Sequence, residues 1–441
     1  MLAPLVNLLI VVASVLLHRW LWVRLVRDTT RSGGRARRAG TVATVASAAL
    51  AAAPRILVPA LGPDTGRPLA WTGYVWLGVL LYLILVLLVL EIPRAFVGTR
   101  TLVRRRNSTE RPVAVPEPAK VPATTVSRET TTVSRETGQA PPGADPAPRE
   151  GGDTIGNRRG SGPAHPDRRL FLSRVGAIAA GGIAVATTGI GMRTALGDPV
   201  IRRVPVRIAG LAQPLSGLRI AVVSDLHLGP LLGRGHTERI VRMINGLEAD
   251  VVTVVGDLAD GKPSQLASAA RPLRHLESTH GAFFVTGNHE YMFDGADAWV
   301  DELHGLGVTT LLNERTEIRH HGAVLDLAGV EDLSATEHGR GPDYERALGG
   351  RDTGRPVVLM AHQPVMIEEA ARHGVDLQLS GHTHGGQMFP LTELTKLANP
   401  VVAGLGKVDN TQLYVTSGAG FFGPPVRVGA DPEITVIELR P

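Results

Sequence analysis

The sequence predicts a layered α/β domain preceded by an N-terminal transmembrane helical region, and three changes along the chain support this fold class. Apolar residues dominate the first ninety positions, a stretch rich in Pro, Arg, Thr and Glu follows, and balanced globular sequence begins near Asp198. From Leu218 onward, short β-rich runs alternate with helical stretches. Because 441 residues exceed what one hydrophobic core usually holds, we expect one sizeable domain together with a separate module.

Four apolar runs are candidate membrane spans, and three of them lie within residues 1–93, where we expect two to three transmembrane helices. These three are Leu5–Leu17 continued by Trp20–Val23, Thr41–Leu61, and Trp71–Ile92. Trp71–Ile92 is the clearest span because it is long enough to cross a bilayer. Thr41–Leu61 contains Arg55, and since an arginine inside a span is costly, an interfacial helix is the alternative for this run.

The fourth run is predicted as a transmembrane or signal-anchor helix over residues 170–193, and a pair of arginines precedes it. Arg168 and Arg169 stand before Phe171-Leu172 and a modest apolar segment, an order that resembles a twin-arginine export signal. The alternative is that both arginines are ordinary cytoplasmic anchors of the helix. Cleavage after the run stays open, because Ala195-Leu196-Gly197 is a loose match to a small-residue cleavage site.

Positive charge predicts the orientation of the spans. The loop from Arg24 to Arg38 and the segment from Arg94 to Arg169 are rich in arginine, and such segments stay on the cytoplasmic side. With four spans, everything after Arg193 then lies outside the cytoplasm. We therefore expect a multi-pass protein of the cell membrane with an extracytoplasmic C-terminal domain, and a cytoplasmic domain is the alternative if the run containing Arg55 does not cross.

Residues 94–169 are predicted to form a disordered linker rich in Pro, Arg and Thr. They are poor in large apolar groups and contain a direct repeat, Thr124–Thr130 followed by Thr131–Thr137. A period of seven residues is also found in coiled coils, but one apolar residue per repeat leaves no hydrophobic seam for a second helix. We interpret this segment as a flexible tether.

Charge and cysteine content exclude several classes of function. Residues 194–441 contain 21 Lys and Arg against 30 Asp and Glu, a balance of −9, which leaves +14 for residues 1–193. The basic excess therefore belongs to the membrane portion, and nucleic acid is not an expected partner. The chain has no cysteine, so disulfides, thiolate nucleophiles and cysteine-bound zinc are excluded, and any metal must be bound by His, Asp, Asn or Glu.

The α/β pattern of residues 198–441 has five short apolar runs that we interpret as buried strands. They are Leu218–Ser224, Val251–Val255, Ala282–Thr286, Val357–Ala361 and Asp376–Ser380. The stretches between them are predicted helices, namely Glu238–Leu247, Gln265–Glu277, Asp297–Leu306 and Val365–Arg372. Pro272 is expected to bend or break the second of these helices.

A hard or borderline metal ligand follows each predicted strand. In chain order these ends read Asp225-Leu226-His227, Gly256-Asp257, Gly287-Asn288-His289-Glu290, His362, and Gly381-His382-Thr383-His384. Functional sites of layered α/β folds collect at the carboxyl ends of the strands. Oxygen and imidazole ligands without sulfur suit divalent Mn, Fe, Zn or similar ions.

In this order the five motifs resemble the signature of the calcineurin-like metallophosphoesterase family over about residues 200–441, with no departure at a ligand position. The resemblance implies a four-layer α/β/β/α sandwich and two divalent metal ions. One ion would be held by Asp225, His227 and His384, and the other by Asn288, His362 and His382, with Asp257 bridging them. A shared carboxylate would offset the repulsion between two dications.

The resemblance also implies the chemistry. Two ions about 4 Å apart clamp a phosphoryl group and lower the pKa of a bridging water, so that hydroxide attacks phosphorus in line. His289 resembles the residue of the family that supports a phosphoryl oxygen or protonates the leaving alkoxide. Asp260 is a candidate orienting residue, with a solvated loop position as the alternative.

The last part of the sequence is similar to a membrane-associated bacterial branch of the family, which is related to phosphodiesterases of lipid precursors and the cell envelope. Gly385-Gly386-Gln387 and the tail Gly423–Arg427 carry this likeness. Arg427 is a candidate for binding a substrate phosphate, with an exposed surface position as the alternative. His320, His321, His338 and His373 lie outside the strand-end pattern and are predicted surface residues.

The sequence therefore favours a membrane-anchored phosphoesterase that hydrolyses phosphodiesters or phosphomonoesters, on a lipid-linked or cell-envelope substrate. One alternative is a pyrophosphatase of a nucleotide-activated lipid precursor, such as UDP-diacylglucosamine, on the cytoplasmic side. An alternative from another class is a non-catalytic metal-binding scaffold. The intact set of seven polar ligands argues against the scaffold, and the sequence does not indicate an oligomeric state.

Overall fold

The computed structural model describes residues 2–109 and 166–441. By its internal contacts the chain falls into two units, one made of Met1–Leu90 with Leu170–Pro441 and the other of Glu91–Arg169. The helices of residues 1–90 and the α/β domain thus belong to one unit. Most of the predicted linker, with its repeat, lies outside the described residues.

Four long helices make up the apolar part of the chain. They are α1 (Leu2–Leu21), α2 (Arg35–Leu61), α3 (Pro63–Thr109) and α4 (Pro166–Leu196). Among the described residues that could be assessed, three segments are long and apolar enough to cross a membrane: Arg35–Leu61, Pro63–Ile92 and Leu170–Leu196. The first of these contains Arg55, so the run for which an interfacial helix was the alternative has the length and composition of a span.

Helix α3 continues beyond the apolar run, so residues 94–109 are helical and the prediction of a disordered linker from residue 94 was wrong at this end. Extending an existing helix is favourable because each added residue contributes a hydrogen bond without a new nucleation step. Arginine, which is frequent in this stretch, is also a good helix former.

The first sheet of the α/β domain has six strands in the order β1-β12-β2-β3-β4-β5. Their bounds are β1 Val200–Arg207, β2 Arg219–Val223, β3 Val251–Val255, β4 Ala282–Val285, β5 Val308–Thr310 and β12 Glu433–Arg440. Strands β2 to β5 run parallel, and β12 pairs antiparallel with β2. Three of the five predicted strands lie here, with ends that differ by one residue at most.

The second sheet has six strands in the order β10-β11-β9-β8-β7-β6. Their bounds are β6 Glu314–His320, β7 Ala323–Gly329, β8 Val357–Met360, β9 Leu377–Ser380, β10 Gly404–Val408 and β11 Thr411–Val415. Strands β7, β8 and β9 are parallel, and β6 pairs antiparallel with β7. The other two predicted strands, β8 and β9, form the centre of this sheet.

Seven shorter helices accompany the sheets. They are α5 Arg234–Asn245, α6 Pro263–Ala270, α7 Asn288–Met292, α8 Ala296–Gly305, α9 Tyr344–Leu348, α10 Ile367–Arg372 and α11 Leu391–Thr395. The predicted helix Gln265–Glu277 ends at Ala270 and continues as the 3-10 turn Arg271–His275. Pro272 therefore interrupts the helix as expected, since proline cannot donate the required hydrogen bond.

Three hydrophobic clusters show that the layers are stacked as helix, sheet, sheet and helix. Strand β2 illustrates how: Ala221 and Val223 pack with α5 residues such as Ile240, whereas Ile220 and Val222 join the cluster between the two sheets. Successive side chains of a strand point to opposite faces, so one apolar strand serves both layers. The third cluster packs α9 and α10 on the second sheet. The predicted four-layer sandwich is confirmed.

The segment Pro424–Val428 connects the α/β domain to the long helices. The amide of Arg427 donates to the Gly191 carbonyl of α4 at 2.9 Å. Val426 is fully buried in a cluster with side chains of α3 and α4, including Leu83 and Ala184. A Cβ atom added at Gly191 would lie 2.5 Å from the Val426 Cγ1 atom, so this close approach requires glycine.

We expect Gly191→Ala to lower the free energy of unfolding by about 1–3 kcal/mol, because the added methyl group overpacks the contact with Val426. Gly189→Ala is the matched control on the same helix, since a Cβ there meets nothing within 4 Å and alanine favours the helix. Thermal unfolding of both full-length variants in detergent measures the difference. Equal melting temperatures for the two variants would contradict the packing of Pro424–Val428 on α4.

Candidate metal centre

The carboxyl ends of five strands, three from one sheet and two from the other, deliver the predicted ligands to one place. Asp225 and His227 follow β2, Asp257 follows β3, and Asn288 begins α7 after β4. From the second sheet, His362 follows β8, and His382 and His384 follow β9. Because the contributing strands are parallel within each sheet, their carboxyl ends meet at one edge of the sandwich.

The first cluster contains Asp225, His227 and His384. The Nε2 atoms of the two histidines are 2.9 Å apart, and Asp225 Oδ1 is 3.4 Å from His384 Nε2 and 3.9 Å from His227 Nε2. All three residues are buried. Three ligand atoms that converge within 4.8 Å of one another form a group that could hold a metal ion.

The second cluster contains Asn288, His362 and His382. Asn288 Oδ1 is 2.8 Å from His382 Nδ1 and 3.2 Å from His362 Nε2. Asp257 lies between the two clusters, since its Oδ2 atom is 3.3 Å from His362 Nε2 and 3.8 Å from His227 Nε2. The structure thus brings the seven predicted ligands together at one place, where Asp257 also forms a group with His227 and His289.

The donor set fits a cation at the second cluster. His362 Nδ1 is 2.8 Å from the Val255 carbonyl, which can only accept, so the ring carries its hydrogen on Nδ1. The lone pair on Nε2 then faces the oxygen atoms of Asp257 and Asn288, which are also acceptors. Burial by itself lowers the pKa of His362, but the charge and hydrogen bond of the Asp257 carboxylate raise it well above its ordinary value. Positive charge between Nε2 and these oxygen atoms, from a proton or a metal ion, is therefore favoured.

Asp260 connects the first cluster to His289. Its Oδ1 atom lies 2.8 Å from His227 Nδ1 and 2.8 Å from His289 Nδ1. One carboxylate therefore fixes the hydrogen of both rings on Nδ1 and leaves each Nε2 directed toward Asp257, at 3.8 Å in each case. Burial opposes ionisation of Asp260, but the two histidines lower its pKa. Of the two alternatives for Asp260, this geometry favours the orienting residue.

Several ligands have a left-handed backbone, which is uncommon for residues other than glycine. The φ angles are 55° for Asp225, 46° for His227, 51° for Asp257, 72° for His382 and 51° for His384. Each such residue stores about 1–3 kcal/mol of strain that the surrounding structure must hold. Neighbouring strand ends provide part of this restraint, since the amides of Asp225 and His227 donate to the carbonyls of Gly256 and Asp257.

Gly287 and Gly381, which belong to the sequence motifs, have a packing role that the sequence did not reveal. A Cβ atom at Gly287 would lie 2.3 Å from Asp257 Oδ1, and one at Gly381 would lie 2.3 Å from Asp225 Oδ2. In both motifs the glycine that precedes a ligand makes room for a carboxylate from a neighbouring strand.

Glu290 is a functional residue that sequence reasoning missed, although it is the last member of Gly287-Asn288-His289-Glu290. Its buried carboxylate accepts hydrogen bonds from the amides of Gly287, Asp257 and Leu258, at 2.7, 3.1 and 2.8 Å. It therefore ties the loop that carries Asp257 to the loop that carries Asn288. Burial and the nearby Asp257 charge raise the pKa of Glu290 to about 7.

Arg427 is buried. The prediction that it lies at the surface was wrong, and so was the prediction that it binds a substrate phosphate. Its guanidinium donates to backbone carbonyls, among them those of His384 at 3.1 Å and Ser417 at 2.9 Å. Burial lowers the pKa of this group to about 10, so it remains a cation near neutrality. Its function here is to hold the loop of His384 in place. His320, His321, His338 and His373 take no part in the clusters and are exposed or half-buried, as predicted.

Comparisons with known proteins agree with this site. The family model described as calcineurin-like phosphoesterase matches residues 218–386. "Transmembrane protein with metallophosphoesterase domain" of Danio rerio is 42% identical over 259 residues, which are 57% of this chain and 59% of that protein. An "Uncharacterized metallophosphoesterase" of Helicobacter pylori strain J99 is 40% identical over 254 residues, covering 57% of this chain and 66% of that protein.

A shorter relative is covered almost completely. "Uncharacterized metallophosphoesterase YkuE" of Bacillus subtilis is 30% identical over 283 residues, which are 62% of this chain and 97% of that protein. By contrast, the chain spans less than two thirds of the length of the Danio rerio and Helicobacter pylori relatives.

We expect Asp260→Ala to weaken metal binding by roughly 10–100-fold, the usual effect of removing a carboxylate that orients ligand histidines. Asp294→Ala is the matched control, because Asp294 is exposed and pairs with Lys262. Competition with a chelator, followed on the purified full-length variants, measures the affinity. Equal metal retention by the two variants would contradict the orienting role of Asp260.

Proposed function

The chain belongs to the calcineurin-like metallophosphoesterase family, and from this premise we propose that it is a membrane-anchored hydrolase of phosphodiesters or phosphomonoesters. The observation that carries the proposal is the convergence of seven oxygen and imidazole ligands around the buried Asp257 carboxylate. A scaffold without catalysis would have no use for this arrangement, because each buried polar ligand is costly unless it is paired.

We propose two divalent ions as cofactors. Asp225, His227 and His384 would hold one of them, and Asn288, His362 and His382 would hold the other. The position of Asp257 between the clusters supports its assignment as the shared ligand. Imidazole, carboxylate and amide ligands suit Mn, Fe or Zn, and the amide of Asn288 limits the total negative charge.

Asp260, His289 and Phe422 have separate roles in the proposed reaction. When bound, the two ions supply charge stabilisation at phosphorus and a water of lowered pKa. Asp260 holds the His289 ring through Nδ1, so that Nε2 is presented on the side of the cluster where Asp257 lies. Burial lowers the pKa of His289, but the hydrogen bond to Asp260 and the charge of Asp257 raise it to about 9, so the ring also carries a hydrogen on Nε2 near neutrality. We propose that this Nε2–H donates to a phosphoryl oxygen or to the leaving alkoxide. Phe422 packs against the His289 ring at 4.7 Å between centroids and restricts its rotation.

The proposed substrate is lipid-linked or belongs to the cell envelope. Support comes from the contact of the domain with the long helices, where Met388 and Val426 are buried in one cluster with Leu83 and Leu87 of α3. Large apolar side chains on the segments that carry Met388 and Val426 remain exposed, namely Phe389, Leu394, Leu397 and Phe422. Phe422 also contacts His227, so exposed apolar surface reaches the metal ligands. A lipid near the membrane would meet this surface first.

We expect His289→Ala to retain both metal ions but to lose turnover by about 10²–10⁴-fold, the usual contribution of a positioned acid or base. The assay uses Mn with bis-para-nitrophenyl phosphate, para-nitrophenyl phosphate and a lipid pyrophosphate, together with metal analysis of the same protein. His338→Ala is the matched control, since His338 is exposed and lies outside the clusters. An unchanged rate, or loss of the metals, would contradict the proposed role of His289.

We propose that the α/β domain lies outside the cytoplasm, supported by the arginine-rich segments and by spans that include Arg35–Leu61. A phosphatase reporter fused after Pro441 should then be active, because that enzyme requires export. A fluorescent reporter that folds only in the cytoplasm should stay dark at the same position. Fluorescence without phosphatase activity would place the domain in the cytoplasm and contradict this orientation.

A further inference from the structure

A cavity of about 360 Å³ lies away from the metal ligands, where the beginning of α5 meets the beginning of α3 and the end of α4. None of the seven ligands lines it. Its wall is partly cationic, with Arg67 from α3 and Arg234 and Arg239 from α5, and partly apolar, with Leu196, Leu231 and Leu232. The neutral His236 side chain completes the polar part of the wall.

The three arginines leave an excess of positive charge at the cavity. Arg234 pairs with Glu238 at 2.8 Å and Arg239 approaches Asp198 at 3.6 Å, but neither carboxylate lines the cavity, and Asp198 is largely exposed. Arg67 has no ion pair or hydrogen bond with any described residue. Arg234 and Arg239, whose charges are only partly balanced, and Arg67, which has no partner among the described residues, therefore line the same cavity. This excess of positive charge favours the binding of an anion.

His236 supplies a buried donor without a partner. Its side chain is 7% exposed, and its Nδ1 atom is 3.0 Å from an Arg239 guanidinium nitrogen, which can only donate. The hydrogen of the neutral ring must therefore be on Nε2, and this atom is buried with no acceptor among the described residues. Burial and the Arg239 charge lower the pKa of His236 to about 3, so the ring stays neutral in this tautomer. A buried donor in this state is unfavourable unless a ligand accepts from it.

The amino end of α5 adds further donors. The helix is twelve residues long, and its N-cap residue, Gly233, has no side chain to accept from the first-turn amides. In the described part of the chain, the amides of Arg234 and Gly235 have no backbone acceptor. Such a helix end carries partial positive charge and binds anions, above all phosphate.

We propose that this cavity binds a phosphate group, at a site separate from the metal centre. The guanidinium groups of Arg67 and Arg239, the Nε2–H of His236 and the first amides of α5 all donate, and phosphate oxygens accept several such bonds at once. The three leucines of the lining offer apolar surface to the remainder of the ligand. A membrane lipid with a phosphate monoester headgroup and a soluble phosphate compound share this chemistry. In either case the phosphate group is the part of the ligand that the site would bind.

The test uses the full-length protein in detergent with its metals in place, and binding at the metal centre is recognised as the part that the cavity variants leave unchanged. Inorganic phosphate is titrated by calorimetry. In parallel, native mass spectrometry compares dihexanoyl phosphatidic acid with dihexanoyl phosphatidylcholine, which has the same chains but no net charge. We expect binding of phosphate, of phosphatidic acid or of both, and weaker binding of phosphatidylcholine.

Two variants test the donors. Arg239→Gln removes a guanidinium, and His236→Asn keeps an acceptor for Arg239 while it deletes the Nε2 donor. Because each change removes a charged or buried hydrogen bond, we expect the dissociation constant to rise at least about tenfold in each. Arg203→Gln, which changes an exposed arginine of β1 outside the cavity, should leave binding unchanged.

Arg67→Gln keeps the test decisive if a buried variant is unstable, because Arg67 is exposed and its loss cannot unfold the domain. Weaker binding of either probe in this variant, with normal melting temperature, supports the site. Binding of phosphate alone assigns a soluble ligand, and preferential binding of phosphatidic acid assigns a lipid. Absence of binding by both probes, or binding that Arg67→Gln and Arg239→Gln leave unchanged, overturns the proposal, and neither result bears on hydrolysis at the metal centre.

Discussion

The structure depends on burying two carboxylates, Asp225 and Asp257, where the two sheets meet. An isolated buried carboxylate is costly, so its charge must be balanced by hydrogen bonds and by cations. Peptide amides provide part of the balance: Asp225 accepts at 3.1 Å from the amide of His382, which follows β9 of the second sheet, and Asp257 accepts from the amide of His289 at 2.9 Å. The histidine rings face the remaining oxygen lone pairs, and their arrangement calls for a cation. The same carboxylates that would bind metal therefore also fasten one sheet to the other.

Local sequence patterns predict the central strands of the fold. They do not predict the edge strand β6 or the long-range pairing of strand β12. The five central strands are runs of β-branched and aliphatic residues that are buried on both faces, and this pattern identified them to within one residue at each end. Strand β6, with the polar sequence Glu314–His320, lies at an edge and lacks such a run. Strand β12 pairs with β1 and β2 across more than two hundred residues, and no local pattern encodes a pairing at that distance.

At the site, the sequence predicted which residues come together as ligands. It did not predict the backbone conformation and the contacts that hold these residues in place. The seven ligands could be predicted because each follows a strand, and parallel strands share an edge. The left-handed backbone of Asp225 and His384 could not be predicted, since this conformation is imposed by neighbouring strands rather than chosen by the residue. Arg427 misled for a related reason. Its neighbours Pro425 and Gly429 are typical of exposed loops, and its burial arises from long-range contacts, because the guanidinium enters the loops of the α/β domain and donates to the carbonyls of His384 and Ser417.

That docking connects the long helices to the metal ligands. Within a few residues, Val426 packs against α3 and α4 while Arg427 donates to the carbonyl of the ligand His384. A displacement of the segment would therefore move the arginine and the loop that carries the ligand together, because a packed core transmits strain. In a fragment that began at Asp198, Val426 and Met388 would lose their partners on the helices and become exposed. The helices are thus part of the scaffold of the candidate metal centre, in addition to their predicted role as an anchor.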